Sequence, residues 1–72
     1  MDICTRLGRR LRYLRTARGM SQVMLADRAQ ISRSNLSRIE NGRMEPCLRT
    51  LGSLAAALDL KIWELMKDVD RA

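Results

Sequence analysis

The sequence predicts an all-α fold of five short helices in one domain, residues 1–72, and three observations carry that expectation. Apolar residues recur at helical spacing through most of the chain. Ser21 and Ser32 stand where each can cap a helix, with only Ala29, Gln30 and Ile31 between the two helices. Gly19, Asn41-Gly42 and Pro46 punctuate the periodic segments where helices should stop or start.

The first helix is expected over residues 3–18, with Ile3, Leu7, Leu11 and Leu14 on one stripe and Gly19 ending it. Arg6, Arg9, Arg12 and Tyr13 point away from that stripe. The second helix, residues 22–28, buries Leu25 and Ala26; the third, residues 33–40, buries Leu36 and Ile39. The fourth, residues 47–58, puts Leu48, Leu51, Leu54, Ala55 and Leu58 on one side and the small or polar Gly52, Ser53, Ala56 and Ala57 on the other. Gly52 costs that helix about 1 kcal/mol relative to alanine. The fifth, residues 61–69, has a stripe of Ile62, Leu65, Met66 and Val69, with Trp63 off it. So short a helix carries more apolar surface than one core absorbs.

Composition narrows the function. A core of this size typically supplies about 3–5 kcal/mol, so self-association is the expected supplement. Cys4 and Cys47 form no C-x-x-C and no secretory signal precedes them, so a disulfide is not expected and both read as small apolar residues. With no histidine, a zinc finger or a Cys–His nucleophile cannot be built. No cofactor or metal site and no enzyme chemistry is therefore expected. No apolar run approaches the ~20 residues of a membrane span, which points to the cytoplasm.

The net charge is +6, and twelve of the fourteen basic residues are arginine. Residues 1–20 hold six arginines against one acid, whereas residues 51–72 are nearly neutral. That asymmetry favours a polyanion bound by the N-terminal half.

A short capped helix after a tight turn is a probe that fits the major groove of duplex DNA, roughly 12 Å wide. At 100° per residue, Arg33, Ser34, Ser37 and Arg38 span about 140° opposite Leu36 and Ile39. Arg33 and Arg38 can each bond a guanine edge in bidentate fashion, and the serine hydroxyls let the helix sit close to base edges. Arg38 can instead contact phosphate alone. Flanking phosphate contacts are expected from Gln22, at the N-terminus of the second helix, and from Asn41, Gly42 and Arg43 after the third. Asn41-Gly42 also reads as a helix stop, and the two roles can coexist. Such contacts hold register without reading sequence.

These residues together resemble the helix-turn-helix of phage Cro and repressor proteins and of the xenobiotic-response-element (XRE) family of bacterial regulators. The similarity runs through Leu11, Leu14-Arg15, Ser21-Gln22, Leu25-Ala26, Ile31-Ser32 and Leu36-Ser37-Arg38-Ile39-Glu40-Asn41-Gly42. It continues in Pro46, Thr50-Leu51, Ala55, Ala57-Leu58, Trp63 and Leu65. The resemblance implies a compact lambda-repressor-like domain with its motif at residues 21–40, in a bacterial or phage transcriptional regulator. It implies base reading by Arg33, Ser34, Ser37 and Arg38, a phosphate clamp at Gln22, and a structural ion pair between Arg15 and Glu40. Phage repressors, restriction–modification controllers and antitoxins are the small stand-alone regulators of this kind, and the length suits a controller.

The expected state is a homodimer on a palindromic operator, with two recognition helices about 34 Å apart. Ile62, Trp63 and Met66, with the small face of the fourth helix, are the expected dimer surface, unless Trp63 folds onto its own core. The competing reading is an antitoxin or interaction module whose main partner is another protein. Two departures from the family pattern stand out. Gln30 occupies a turn position where glycine is usual, which costs about 1–2 kcal/mol if the backbone is left-handed. Lys61 stands where a helix cap is usually short and polar, which leaves the start of the fifth helix open.

Overall fold

The computed structural model describes residues 2–70, and its regular elements there are all helices: α1 (Ile3–Ala17), α2 (Gln22–Ala29), α3 (Arg33–Glu40), α4 (Leu48–Ala57) and α5 (Ile62–Leu65). Side chains cap the first three. Asp2 accepts from the Thr5 N–H at 2.9 Å, Ser21 Oγ from Met24 N–H at 3.1 Å, and Ser32 Oγ from Asn35 N–H at 3.0 Å. Each bond satisfies one of the donors that a helix start leaves free.

Helices α1 to α4 end alike, with one left-handed residue whose N–H, and that of its successor, turn back onto carbonyls of the last turn. Gly19 and Gly42 fill that place after α1 and α3, but Gln30 (φ 59°) and Asp59 (φ 60°) fill it after α2 and α4. Gln30 N–H donates to Asp27 O at 3.2 Å, and Ile31 N–H to Ala26 O at 3.0 Å. The turn therefore keeps the shape glycine would give it, with a Cβ in place. Gln30→Gly is expected to raise stability by about 0.5–1 kcal/mol, relief of the left-handed cost exceeding the added freedom of the unfolded chain. A urea midpoint unchanged or lowered would contradict this.

Leu11, Leu25, Leu36, Ile39, Leu54, Leu58 and Leu65 are the largest fully buried side chains, and α1 to α5 all contribute to the core around them. Three sequence expectations are corrected. Ile3 is 51% and Leu48 72% exposed; each opens its helix, on a first turn lying beyond the core. The fifth helix ends at Leu65 instead of running to residue 69, and residues 66–70 form turns. Its terminal carbonyls are taken by α1: Arg10 Nη2 donates to Glu64 O at 2.9 Å and Arg10 Nε to Leu65 O at 3.3 Å. Val69 still reaches the interior. At its start, the Glu64 carboxylate accepts from the Lys61 N–H at 2.9 Å, which supplies the cap that the lysine side chain does not.

Candidate nucleic-acid interface

Helix α3 is held on one side and open on the other. Leu36, Ile39 and Glu40 are buried, Arg33, Ser34 and Arg38 are exposed, and Ser37 lies between. The exposed set shares the face opposite the leucine and isoleucine, so two guanidinium groups and a hydroxyl project to solvent from one short helix.

What fixes this helix is a polar cluster around Glu40, the one residue that is both buried and charged among those described. Arg15 bonds it in bidentate fashion, Nε to Oε2 at 2.7 Å and Nη2 to Oε1 at 3.1 Å, and adds a bond from Nη1 to Met20 O at 2.8 Å. Gln22 Nε2 donates to Oε1 at 3.0 Å, and Arg12 Nε reaches the same oxygen at 3.4 Å. Burial pushes the Glu40 carboxyl up, but the bonds from Arg15 and Gln22, the Arg15 charge and the Arg12 bond outweigh it, and its pKa lies below the ordinary 4.5. Helices α1, α2 and α3 thus meet on one carboxylate.

Close backbone approach reinforces the arrangement. A Cβ on Gly8 would run into the carbonyl of Glu40 and come within 2.6 Å of that of Ile39, so α1 and α3 cross at a place only glycine allows. Gly42, left-handed at φ 72°, lies so close to Thr5 that a Cβ would sit 3.0 Å from its Cα.

The flanking residues behave differently from the sequence expectation in two respects. The N–H groups of Asn41, Gly42 and Arg43 donate to Ser37 O, Ile39 O and Arg38 O at 3.0, 3.1 and 2.8 Å. They close the end of α3 on its own carbonyls, and the side chains of Asn41 and Arg43 are the exposed groups there. Gln22 is half-buried against Glu40 rather than free at the surface, with one of its two amide hydrogens engaged.

The arginine excess of residues 1–20 is also less a binding surface than its charge suggests. Arg10 caps α5; Arg18 caps α4, donating from Nε to Leu58 O at 3.1 Å; Arg12 and Arg15 serve Glu40. Sequence reasoning missed Gly8, Arg10, Arg12 and Arg18. Only Gly8 left a local signal, a glycine beside Leu7 on the buried stripe of a helix.

Trp63 is 66% exposed and Ile62 beside it 38%, so the indole does not fold onto its own core. Ile62 lies 3.8 Å from where a Cβ on Gly52 would stand. Met66, half-buried, faces elsewhere: it lines a groove with Ile3, Cys4, Leu7, Pro46 and Leu51. Cys4 and Cys47 are free thiols; Cys4 is half-buried, as a small apolar residue would be, whereas Cys47, just before α4, is exposed. Among the described residues no cluster of ligating side chains suits a metal ion, and no helix is long and apolar enough to cross a membrane.

Comparison with known proteins agrees with this geometry. The Helix-turn-helix family profile matches residues 11–65. The immunity repressor of Bacillus phage phi105 is 41% identical over 56 residues, covering 78% of this chain and 39% of the repressor. Control protein C.MunI from Mycoplasma sp is 32% identical over 71 residues, covering 97% and 96% of the two chains. The crystal structure of the restriction-modification controller C.AhdI from Aeromonas hydrophila superposes with a TM-score of 0.85 at 40% identity, over 86% of this chain and 94% of that one. The chain spans half or less of two other curated regulators it matches. A lambda-repressor-like fold, a capped turn between α2 and α3 and these likenesses together place the chain in the helix-turn-helix family of XRE type.

Proposed function

We propose that the chain binds duplex DNA sequence-specifically as a small transcriptional regulator, with α3 in the major groove. The observation that carries this is the exposed face of Arg33, Ser34 and Arg38 on a helix fixed from behind by Glu40 and Gly8. Arg33 and Arg38 read base edges, Ser34 and Ser37 allow close approach, and Gln22 and the Arg43 side chain hold phosphates. Gln22 retains one amide hydrogen for that purpose while Glu40 fixes its orientation.

The same reading includes a homodimer on a two-fold symmetric operator. The exposed Trp63 and Ile62 beside the small face of α4 supply an apolar surface that a second copy would cover. Overlap of 96% and 94% with the lengths of the control protein C.MunI and the restriction-modification controller C.AhdI favours a controller-type role.

Selection of bound sequences from a random duplex pool, with the mass of the free protein measured alongside, tests the proposal. A two-fold symmetric consensus, a mass of twice the monomer and a steep loss of affinity between low and moderate salt are expected. Arg33→Ala should relax preference at one base pair per half-site, by about 1–3 kcal/mol of discrimination. Arg43→Ala should weaken all sequences alike and lower the salt slope by about one. Equal behaviour of the two variants would falsify the division of labour. Selection without any consensus, alongside tight binding of a second protein to the Trp63 surface, would instead favour an interaction module.

A further inference from the structure

The hydrogen bonds around Asn41 have a direction, and that direction reaches the base-reading face. Arg12 Nη2 donates to Asn41 Oδ1 at 3.1 Å. A guanidinium has only donors, so the oxygen of the Asn41 amide must face Arg12 and its nitrogen must face the other way. There Asn41 Nδ2 donates to Ser37 Oγ at 3.4 Å. Ser37 Oγ is therefore an acceptor on the side of Asn41, one turn further on, and its hydroxyl hydrogen is left to point elsewhere, toward the open face of α3. Thr16 shows the alternative within the same chain: its hydroxyl is given to the Arg12 and Tyr13 carbonyls of its own helix. Ser37 instead uses its hydroxyl oxygen to accept from Asn41.

We propose that Asn41, oriented by Arg12, is a specificity-determining positioning residue that makes Ser37 a hydrogen-bond donor toward the base edge. Position 37 then selects a base presenting an acceptor in the major groove, guanine O6 or N7, thymine O4 or adenine N7, over cytosine, which presents only its amino group there. The chain of control runs from α1 through the end of α3 to the groove. It deepens the DNA-reading proposal and rests on it, and it gives Asn41 a task other than gripping phosphate.

The test compares base preference for the full chain and for Ser37→Ala, Asn41→Ala, Asn41→Asp and the double variant Ser37→Ala/Asn41→Asp. Each is checked for helical content first, and the two single Asn41 variants differ enough in cap chemistry that loss of one to misfolding leaves the other informative. Ser37→Ala and Asn41→Ala should lose about fivefold in discrimination at the same base pair, the worth of one neutral hydrogen bond. Asn41→Asp turns the partner of Ser37 into a pure acceptor, so the hydroxyl hydrogen swings toward residue 41 and the preferred base at that pair should change to one presenting an amino group. The added charge also lowers affinity for all sequences. The double variant should show the general loss without the inversion. If the Asn41 variants weaken every sequence equally and leave that pair unchanged, or if Ser37→Ala leaves the consensus intact, the relay is wrong while the DNA reading stands. A wild-type chain that selects no consensus removes both.

Discussion

Replacing Glu40 by alanine is expected to lower the unfolding free energy by about 3–5 kcal/mol, the range seen when one partner of a buried ion pair is removed. A core of this size supplies a comparable amount, so the variant should be largely unfolded at 25 °C by circular dichroism. The physical reason is what remains behind. Arg15, only 11% exposed at its side chain, would keep its charge with no carboxylate to meet it, and the Gln22 amide would lose its acceptor. The bond is not itself the source of this magnitude; the stranded cation is. Exchanging both Arg15 and Glu40 for apolar residues of similar volume should therefore recover much of the loss.

The milder Glu40→Gln gives the same site a pH signature. In the folded chain the Glu40 pKa lies below its ordinary value, because the bonds from Arg15, Gln22 and Arg12 outweigh burial. The stability it contributes is thus fully present above the unfolded pKa of about 4.5 and is lost as pH falls through the folded value. Asp2, held low chiefly by the Thr5 N–H, acts with the same sign and is common to both proteins. The difference between wild-type and Glu40→Gln denaturation curves, followed from neutral pH to about pH 3, should shrink on acidification. A difference independent of pH would show that the carboxylate is not the ionised hub.

Gly8→Ala is the second large effect, a loss of about 2–4 kcal/mol. Alanine is the better helix former by about 1 kcal/mol, and at an exposed site the change would stabilise α1. Here the added methyl meets the Glu40 carbonyl and stands 2.6 Å from that of Ile39. Backbone carbonyls in a helix cannot swing aside as a side-chain tip does, so α1 and α3 must separate, and the cost exceeds the usual 1–3 kcal/mol of overpacking less the propensity gain. Separation also lengthens the bonds between Arg15 and Glu40, which couples the two sites. Thermal unfolding of Gly8→Ala, Glu40→Gln and the double variant should give a sum larger than the observed double effect. A midpoint unchanged by Gly8→Ala would mean that the crossing is looser than the structure places it.

Helices α2 and α3 were legible to within a residue because their signals are local: a serine one residue before each helix, the second of which also limits α2, and Asn41-Gly42 directly after α3. The outward face of α3 was legible for the same reason, since 100° per residue and two apolar positions fix which side faces the core. The left-handed place of Gln30 followed from the family pattern, whereas that of Asp59 gave no warning. Exposure of Ile3 and Leu48 was not legible, because periodicity says which face a residue is on and not how far the core extends along the helix. The early end of α5 was hidden too, since Arg10, far away in sequence, is what satisfies its carbonyls.

By itself the sequence determined five helical segments, two serine caps, the turn between the second and third helices and a face of arginine and serine on the third. These are set by interactions within a few residues, which is where hydrogen bonding and side-chain periodicity act. Tertiary structure alone decided which arginines face solvent and which serve as caps, that Gln22 and Arg12 join Arg15 on Glu40, and that Gly8 is the point of contact between α1 and α3. A guanidinium is equally at home in water, on a helix end or against a buried carboxylate. Its role depends on which carbonyl or carboxylate the folded chain brings within about 3 Å, and no count of charge along the sequence contains that distance.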